Sequence, residues 1–279
     1  MADSATSGIT RLALGIELID AARDLPALMP LIAAFDDPLQ ARLRPPVLRH
    51  PSNRFSLAYD AYLATQARTV TLRFFDGPGE RYDVGKALRH LVPRRLRLSL
   101  PSLTQAETRA PAARVCRPRL FPGASYPVTD VQTGLRGRVM RRAGGGRPVR
   151  PARWVRVLAT LPPDETELTA ATVVGRAFGD DRGEFVLLLR PSAAVGPPVP
   201  AIPFRLTVFA RPNDPAPTPA DLPQRDALWD LPIETPLSFR HNNDVLRGAA
   251  IPNGYTKVAE TVLEVPVGRL LRGQPDVLI

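Results

Sequence analysis

Cysteine, lysine and aromatic residues are scarce in this sequence, and each shortage excludes a class of protein. Cys116 is the single cysteine, so an internal disulfide and a metal site built from several cysteines are excluded. Lys86 and Lys257 are the only lysines, which leaves 35 of the 37 basic residues as arginine. The 2 tryptophans, 5 tyrosines and 10 phenylalanines are mostly needed for hydrophobic cores. A sugar-binding sandwich, which needs exposed aromatic side chains on one face, is therefore the least favoured binding function.

Long apolar runs are also missing. No uninterrupted apolar stretch approaches the ~20 residues that a membrane-spanning helix needs. The N-terminal segment, MADSATSGIT, is polar and lacks the basic start and apolar stretch of a signal peptide. We therefore expect a protein without a membrane span that is made and kept in the cytoplasm.

Motifs for catalysis and cofactor binding are absent as well. The histidines, His50, His90 and His241, are far apart in sequence, and none lies in an HExxH, HxxE or HxH pattern. The chain has no GxSxG nucleophile elbow, and the glycine run at 144–146 lacks the lysine and the helix of a phosphate-binding loop. We therefore predict that the protein is not an enzyme and has no cofactor.

Proline, by contrast, is abundant, at 32 of 279 residues spread along the whole chain. Because proline removes a backbone donor and breaks helix interiors, long helices are disfavoured. Segments such as 11–20 and 204–208 alternate apolar and polar residues, which is typical of half-buried strands. About seven strands in each half suit packed β-sandwiches. The sequence therefore predicts an all-β fold with two β-sandwich domains, immunoglobulin-like or transthyretin-like, in tandem with proline-rich connections.

The same patterns predict the boundaries of the segments. We expect an N-terminal sandwich, a proline-rich crossing linker, a C-terminal transthyretin-like sandwich and a tail, at residues 8–102, 103–130, 131–270 and 271–279. Pro30 lies inside the apolar run 28–35, which favours an edge strand there. Apolar residues spaced as i, i+4, i+7 allow a short helix over 84–91.

Residues 172–190, TVVGRAFGDDRGEFVLLLR, form the clearest local motif. Two apolar runs flank the turn sequence GDDRG, which predicts a β-hairpin. Phe185 and Leu187 share one face, yet Val186 on the opposite face is apolar too. A strand that is apolar on both faces belongs in the interior of the protein. We therefore expect this hairpin to be the best buried in the chain.

Asp180, Asp181 and Glu184 in this hairpin could suggest a calcium-binding loop. The spacing of their oxygens does not fit the twelve-residue EF-hand loop. Turn propensity explains the two aspartates without a metal. No metal site is predicted.

Basic residues give the chain a net charge of +10 and a sequence pI ≈ 10.8. The strong preference for arginine, beside much alanine, proline and glycine, is typical of a GC-rich genome and is weak evidence for anion binding. The densest basic cluster contains Arg136, Arg138, Arg141, Arg142, Arg147, Arg150, Arg153 and Arg156. Interleaved aromatic side chains that could stack on nucleic-acid bases are missing, apart from Trp154.

Two interpretations of this cluster remain open. Guanidinium groups pair with carboxylates in two-point contacts, so the arginines are candidates for a surface that binds an acidic protein partner. Trp229 is a further candidate, because it lies in a long proline- and aspartate-rich loop over 211–235, and loops of this length usually have a function. Alternatively, the arginines lie on the solvated outer faces of strands.

The second half carries a pattern spread over residues 133–190. It contains Gly-Arg-Val at 137–139, a glycine-rich turn with a proline at 146–149, a strand at 152–157, and Asp-Asp-Arg-Gly-Glu-Phe at 180–185. This pattern resembles carboxypeptidase-regulatory-like, transthyretin-like β-sandwich domains. The resemblance implies a rigid module without catalytic residues, and it specifies no function.

A chain that pairs such a domain with another small sandwich, and that lacks a signal peptide, resembles proteins of phage-tail-like contractile injection systems. The resemblance implies a structural or adaptor subunit, near the cap or an end of the sheath–tube assembly. It also implies that the protein is oligomeric within the particle and contacts other protein subunits. The alternative, suggested by the net charge, is a β-sandwich module that binds nucleic acid or another polyanion.

Overall fold

The computed structural model describes residues 11–36, 47–59, 64–77, 82–129, 131–142, 148–190, 199–212 and 228–279. Strands dominate these residues, and the chain is all-β as predicted. The helices that lie wholly within these described ranges are α1 (Leu103–Glu107) and α2 (Asp244–Arg247), with a 3-10 turn at Pro111–Arg114.

The strands of the first half are β1 (Leu12–Glu17), β2 (Ile19–Asp20), β3 (Leu25–Pro26), β4 (Leu31–Phe35), β5 (Leu48–Arg49), β6 (Arg54–Ala58), β7 (Arg68–Asp76), β8 (Arg94–Leu100), β9 (Val115–Cys116) and β10 (Arg119–Leu120). Those of the second half are β11 (Gly134–Arg141), β12 (Arg150–Pro151), β13 (Arg156–Thr160), β14 (Val173–Phe178), β15 (Glu184–Leu189), β16 (Ala201–Ala210), β17 (Ile233–Glu234), β18 (Thr256–Pro266), β19 (Leu270–Leu271) and β20 (Val277–Leu278).

Three small sheets build the first half, with strand orders β5-β6-β1-β9, β10-β2-β3 and β17-β8-β7-β4. Alternation of buried and exposed residues is clearest in β8. In β8, Leu96 and Leu98 are buried whereas Arg97 is exposed. The strand β4 lies at the edge of its sheet, which confirms the edge strand predicted from Pro30.

One large antiparallel sheet builds most of the second half, in the order β12-β11-β15-β14-β13-β16-β18. The strands β14 and β15 form the predicted hairpin, with Gly175 opposite Leu189 and Arg176 opposite Leu188. Phe185 on β15 points into the core of this half. The other face of the hairpin packs against the first half, which explains why both faces are apolar.

Short paired strands occur where the sequence predicts a linker and a tail. Within 103–130, β9 pairs in parallel with β1, and β10 with β2. Within 271–279, β20 pairs in parallel with β11. The strand β17 pairs with β8, so a segment from the predicted second domain completes a sheet of the first. Strands of two residues are too short to produce a periodic pattern in the sequence.

The short helix predicted over 84–91 does not form. Residues 84–86 make a turn, and Arg89 adopts a positive φ of 53°. The buried carboxylate of Asp76 accepts hydrogen bonds from the backbone N–H groups of His90 (2.6 Å) and Leu91 (3.1 Å). These bonds hold the segment in an irregular conformation, and the apolar spacing at 84–91 is therefore not helical.

Candidate functional site

Much of the arginine cluster predicted as an interaction surface is engaged within the protein. Arg136 donates to the carbonyl oxygens of Ala124 and Tyr126, the latter at 2.8 Å. Arg138 is exposed but donates to both carboxylate oxygens of Asp276, at 3.0 and 2.7 Å. These two guanidinium groups tie β11 to neighbouring segments.

The other arginines of the predicted surface do not share one location on the protein. Arg141 donates to the carbonyl oxygen of Arg211 at 2.6 Å. Arg142 and Arg150 are exposed. Arg147 lies outside the described residues. The cluster therefore does not form one continuous patch among the residues that the structure describes.

Arg153 and Trp229 lie where the two halves meet. Arg153 forms a 3.1 Å ion pair with Asp230, and its guanidinium carbon lies 5.3 Å from the centre of the Trp154 ring. Trp229 is half-buried, and its carbonyl oxygen accepts a hydrogen bond from Arg95 at 3.0 Å. Arg153 thus ties the end of the long loop to the second half, and Arg95 ties it to the first half.

Arg156 is only 1% exposed and is not part of an exposed surface, contrary to the prediction. Its guanidinium group forms a 3.2 Å ion pair with Glu234 and lies 3.6 Å from the centre of the Phe178 ring. Burial lowers the pKa of Arg156, and the charge of Glu234 opposes this effect. Glu234, Phe178 and Tyr255 cover the guanidinium group on the face of β13 that alternation would otherwise leave in solvent.

Glu234 is the centre of a buried ion cluster that joins the halves. It binds Arg94 of the first half at 3.1 and 2.9 Å and Arg156 of the second half at 3.2 Å. Arg94 also donates to the carbonyl oxygens of Val245 (2.6 Å) and Arg119 (2.9 Å). Most donors of the two guanidinium groups are thus satisfied away from water, as a buried charge requires.

Aromatic contacts reinforce this junction. The Trp154 indole N–H donates to Asp230 at 2.7 Å. The rings of Phe121, from the first half, and Phe178, from the hairpin, are stacked with their centres 4.0 Å apart. A β-carbon at Gly248 would lie 2.3 Å from the Phe121 ring, so only glycine allows this approach.

The turn of the hairpin contributes a second polar contact between the halves. Asp180 accepts the backbone N–H groups of Arg182 (2.8 Å) and Glu184 (3.0 Å), as expected of a turn residue. Burial raises the pKa of Asp180 to about 6. Asp181 instead reaches the first half, where Arg89 forms a 3.3 Å ion pair with it. Both aspartates therefore have structural roles.

A separate pocket, which we call the arginine pocket, opens beside this junction. Its walls come from the turn after β2, the strand β10, the hairpin and the end of α2. Four guanidinium side chains line it: those of Arg119, Arg176, Arg190 and Arg247. The cavity volume is about 80 Å³, whereas one water molecule needs ~10–15 Å³ on the same scale.

Three of these arginines have no acidic partner in hydrogen-bonding contact among the described residues. Arg119 forms a 2.6 Å ion pair with Asp24. Within the described residues, the side chains of Arg176, Arg190 and Arg247 form no hydrogen bond or ion pair. The Nε atom of Arg176 is buried without a hydrogen-bond partner. Burial, together with the nearby positive charges of Arg190 and Arg247, lowers the pKa of Arg176 to about 10.

The histidines and the cysteine do not come together. His50 contacts Ser52, and His90 lies 3.7 Å from Asp76. His241 is exposed in a turn, and Cys116 is buried in the core of the first half. Within the described ranges, no three His, Cys, Asp or Glu side chains are grouped as metal ligands.

No family model matches the chain, and no curated protein matches it. The resemblance to transthyretin-like domains and to contractile injection proteins therefore stays a prediction. In the described part of the chain, no helix is both long and apolar enough to cross a membrane.

The sequence pattern missed the ion cluster and the arginine pocket for different reasons. Arg156 lies between Val155 and Val157 in a fully buried strand, and this apolar setting was a usable sign of burial. Glu234 and the pocket arginines gave no such sign. They come from segments far apart in sequence, and only the folded chain brings them together.

Proposed function

We propose that the protein is a non-enzymatic structural or adaptor subunit of a multi-protein assembly. In line with the resemblance, the assembly is a phage-tail-like contractile injection particle, and the subunit acts at its cap or at an end of the sheath and tube. The observation that carries the proposal is an apolar tip on the first half. It consists of Leu28 and Leu48, which are 82% and 56% exposed.

Local geometry brings Leu28 and Leu48 to the same region. Leu48 lies on β5, in the hairpin that β5 forms with β6. The turn of that hairpin contains Asn53, whose amide group donates to the carbonyl oxygens of Ala27 (3.0 Å) and Met29 (2.7 Å). Leu28 lies between these two acceptors and projects outward. Hydrogen bonds on both sides therefore hold its backbone in place.

Another protein subunit is the occupant that suits this tip. Fully burying one leucine side chain contributes ~1.5–3 kcal/mol, so the two exposed leucines of the tip favour association over exposure to water. Arg49 and Arg54 lie next to the tip and provide the polar rim that protein interfaces have around an apolar centre.

The buried junction supports a structural role. Glu234 pairs with one arginine from each half, and these ion pairs make the connection between the two halves more rigid. A subunit that positions its neighbours needs such rigidity, because domains joined only by a flexible linker move relative to one another.

The test is co-expression with the proteins encoded by neighbouring genes, followed by co-purification and measurement of the complex mass by light scattering. We expect a defined complex with at least one of them. The double variant Leu28→Asp/Leu48→Asp should abolish it while unfolding at the same temperature as the original protein. The control is Leu237→Asp, since Leu237 is 97% exposed and lies outside the tip. It should leave the complex intact.

Three outcomes would contradict the proposal. One is a protein that stays monomeric and binds none of its encoded neighbours. Another is equal loss of binding in the Leu237→Asp control. The third is tight binding to DNA that weakens steeply as salt rises, because this would favour the polyanion-binding alternative.

A further inference from the structure

We propose that the arginine pocket is a binding site for a dianionic phosphate group. It is separate from the apolar tip, and it does not depend on the proposed role in an assembly. The first step of the argument is convergence. Arg119, Arg176, Arg190 and Arg247 come from three separate parts of the fold and line one cavity.

The second step is that the pocket carries more positive charge than the carboxylates near it can balance. Mutual repulsion and burial already lower the pKa of Arg176. An arginine whose Nε atom is buried without a partner lowers the stability of the folded protein unless a ligand supplies an acceptor.

The third step concerns which anion fits. Two carboxylates act on the four guanidinium groups: Asp24 is paired with Arg119, and Asp244 acts electrostatically on Arg176. This leaves two positive charges, which match a dianionic phosphate better than a singly charged carboxylate. Guanidinium groups bind phosphate oxygens through paired, charge-assisted hydrogen bonds. The cavity has room for one such group and little more.

Calorimetric titration of the full chain with inorganic phosphate, at slightly alkaline pH, tests the site. Acetate at the same ionic strength is the comparison anion. We expect one saturable site for phosphate. The affinity for acetate should be at least about tenfold lower. Phenyl phosphate is the third ligand. Binding at least as tight as that of inorganic phosphate assigns the site to esterified phosphates, whereas preference for the inorganic ion assigns it to free phosphate.

The variant Arg176→Gln should weaken phosphate binding about tenfold or more, because it removes one charge-assisted donor pair. The matched control is Arg97→Gln, since Arg97 is exposed on β8 and lies outside the pocket. It should bind phosphate as the original protein does. In chloride, Arg176→Gln should unfold at an equal or higher temperature, because it removes repulsion. Phosphate should raise the unfolding temperature of the original protein but not that of this variant.

The proposal is overturned if phosphate gives no saturable binding, or if acetate binds equally well. It is also overturned if Arg97→Gln reduces phosphate binding as much as Arg176→Gln does. That result would mean that phosphate responds only to the overall positive charge. A lower unfolding temperature of Arg176→Gln in chloride, with phosphate binding retained, would make Arg176 a packing residue and would also refute the assignment.

Discussion

Replacing Glu234 with glutamine should destabilise the whole protein. The carboxylate of Glu234 accepts three hydrogen bonds from two buried guanidinium groups, at 2.9, 3.1 and 3.2 Å. Glutamine keeps the volume but removes the charge, and its amide N–H group would face a donor of Arg94 or Arg156. Breaking a buried ion pair by removing one partner costs ~3–5 kcal/mol. Because two arginines lose the same partner here, we expect a loss of about 4 kcal/mol or more.

Such a loss is a large part of the ~5–15 kcal/mol that stabilises a typical folded protein. Urea unfolding followed by tryptophan fluorescence measures it, since Trp154 packs at the junction. The matched control is Glu264→Gln on the exposed face of β18, which should change stability by less than ~0.5 kcal/mol. Adding Arg156→Met to Glu234→Gln should recover part of the loss, because one unpaired buried charge is removed.

The reasoning is refuted if Glu234→Gln costs less than about 1 kcal/mol, or no more than the control. It is also refuted if urea unfolding shows two separate transitions, one for each half, in both the original protein and the variant. In that case the ion cluster would not hold the halves together.

Asp180→Asn should stabilise the protein by roughly 3 kcal/mol near neutral pH. Burial raises the pKa of Asp180 to about 6, so the charged carboxylate disfavours folding above that pH. The gain should shrink as the pH falls through about 6 toward about 4, and a gain independent of pH in urea titrations would contradict this cause. Gly248→Ala should cost roughly 2 kcal/mol or more in thermal unfolding, since φ is 68° and the β-carbon would strike Phe121. Burial also raises the pKa of Cys116 to about 12, so a thiol reagent should modify this residue only after unfolding, and fast labelling of the native protein would contradict its burial.

The local sequence pattern was sufficient to predict the all-β fold class and the hairpin at 172–190. Many prolines and a period of two along the chain favour strands whatever the rest of the protein does. The turn sequence at 179–183 predicts the hairpin by its own geometry, and the hairpin is buried as expected. The edge position of β4 likewise follows from Pro30 alone.

Pattern failed where a residue's environment depends on distant segments. Alternation can tell that Arg156 and Val157 point to opposite faces of β13, but not that Glu234, from a distant segment, covers the face of Arg156. The predicted linker and tail contain strands of two residues, which form only because β1, β2 and β11 offer backbone partners.

The amino-acid sequence by itself determined that this chain folds into strands and that residues 172–190 form a hairpin. Both properties depend on the preferences of neighbouring residues, which a single segment expresses alone. Only the tertiary structure decided that Glu234 neutralises arginines of both halves and that four other arginines share one pocket. Charges interact according to distance in space, and the sequence specifies that distance only after the chain has folded.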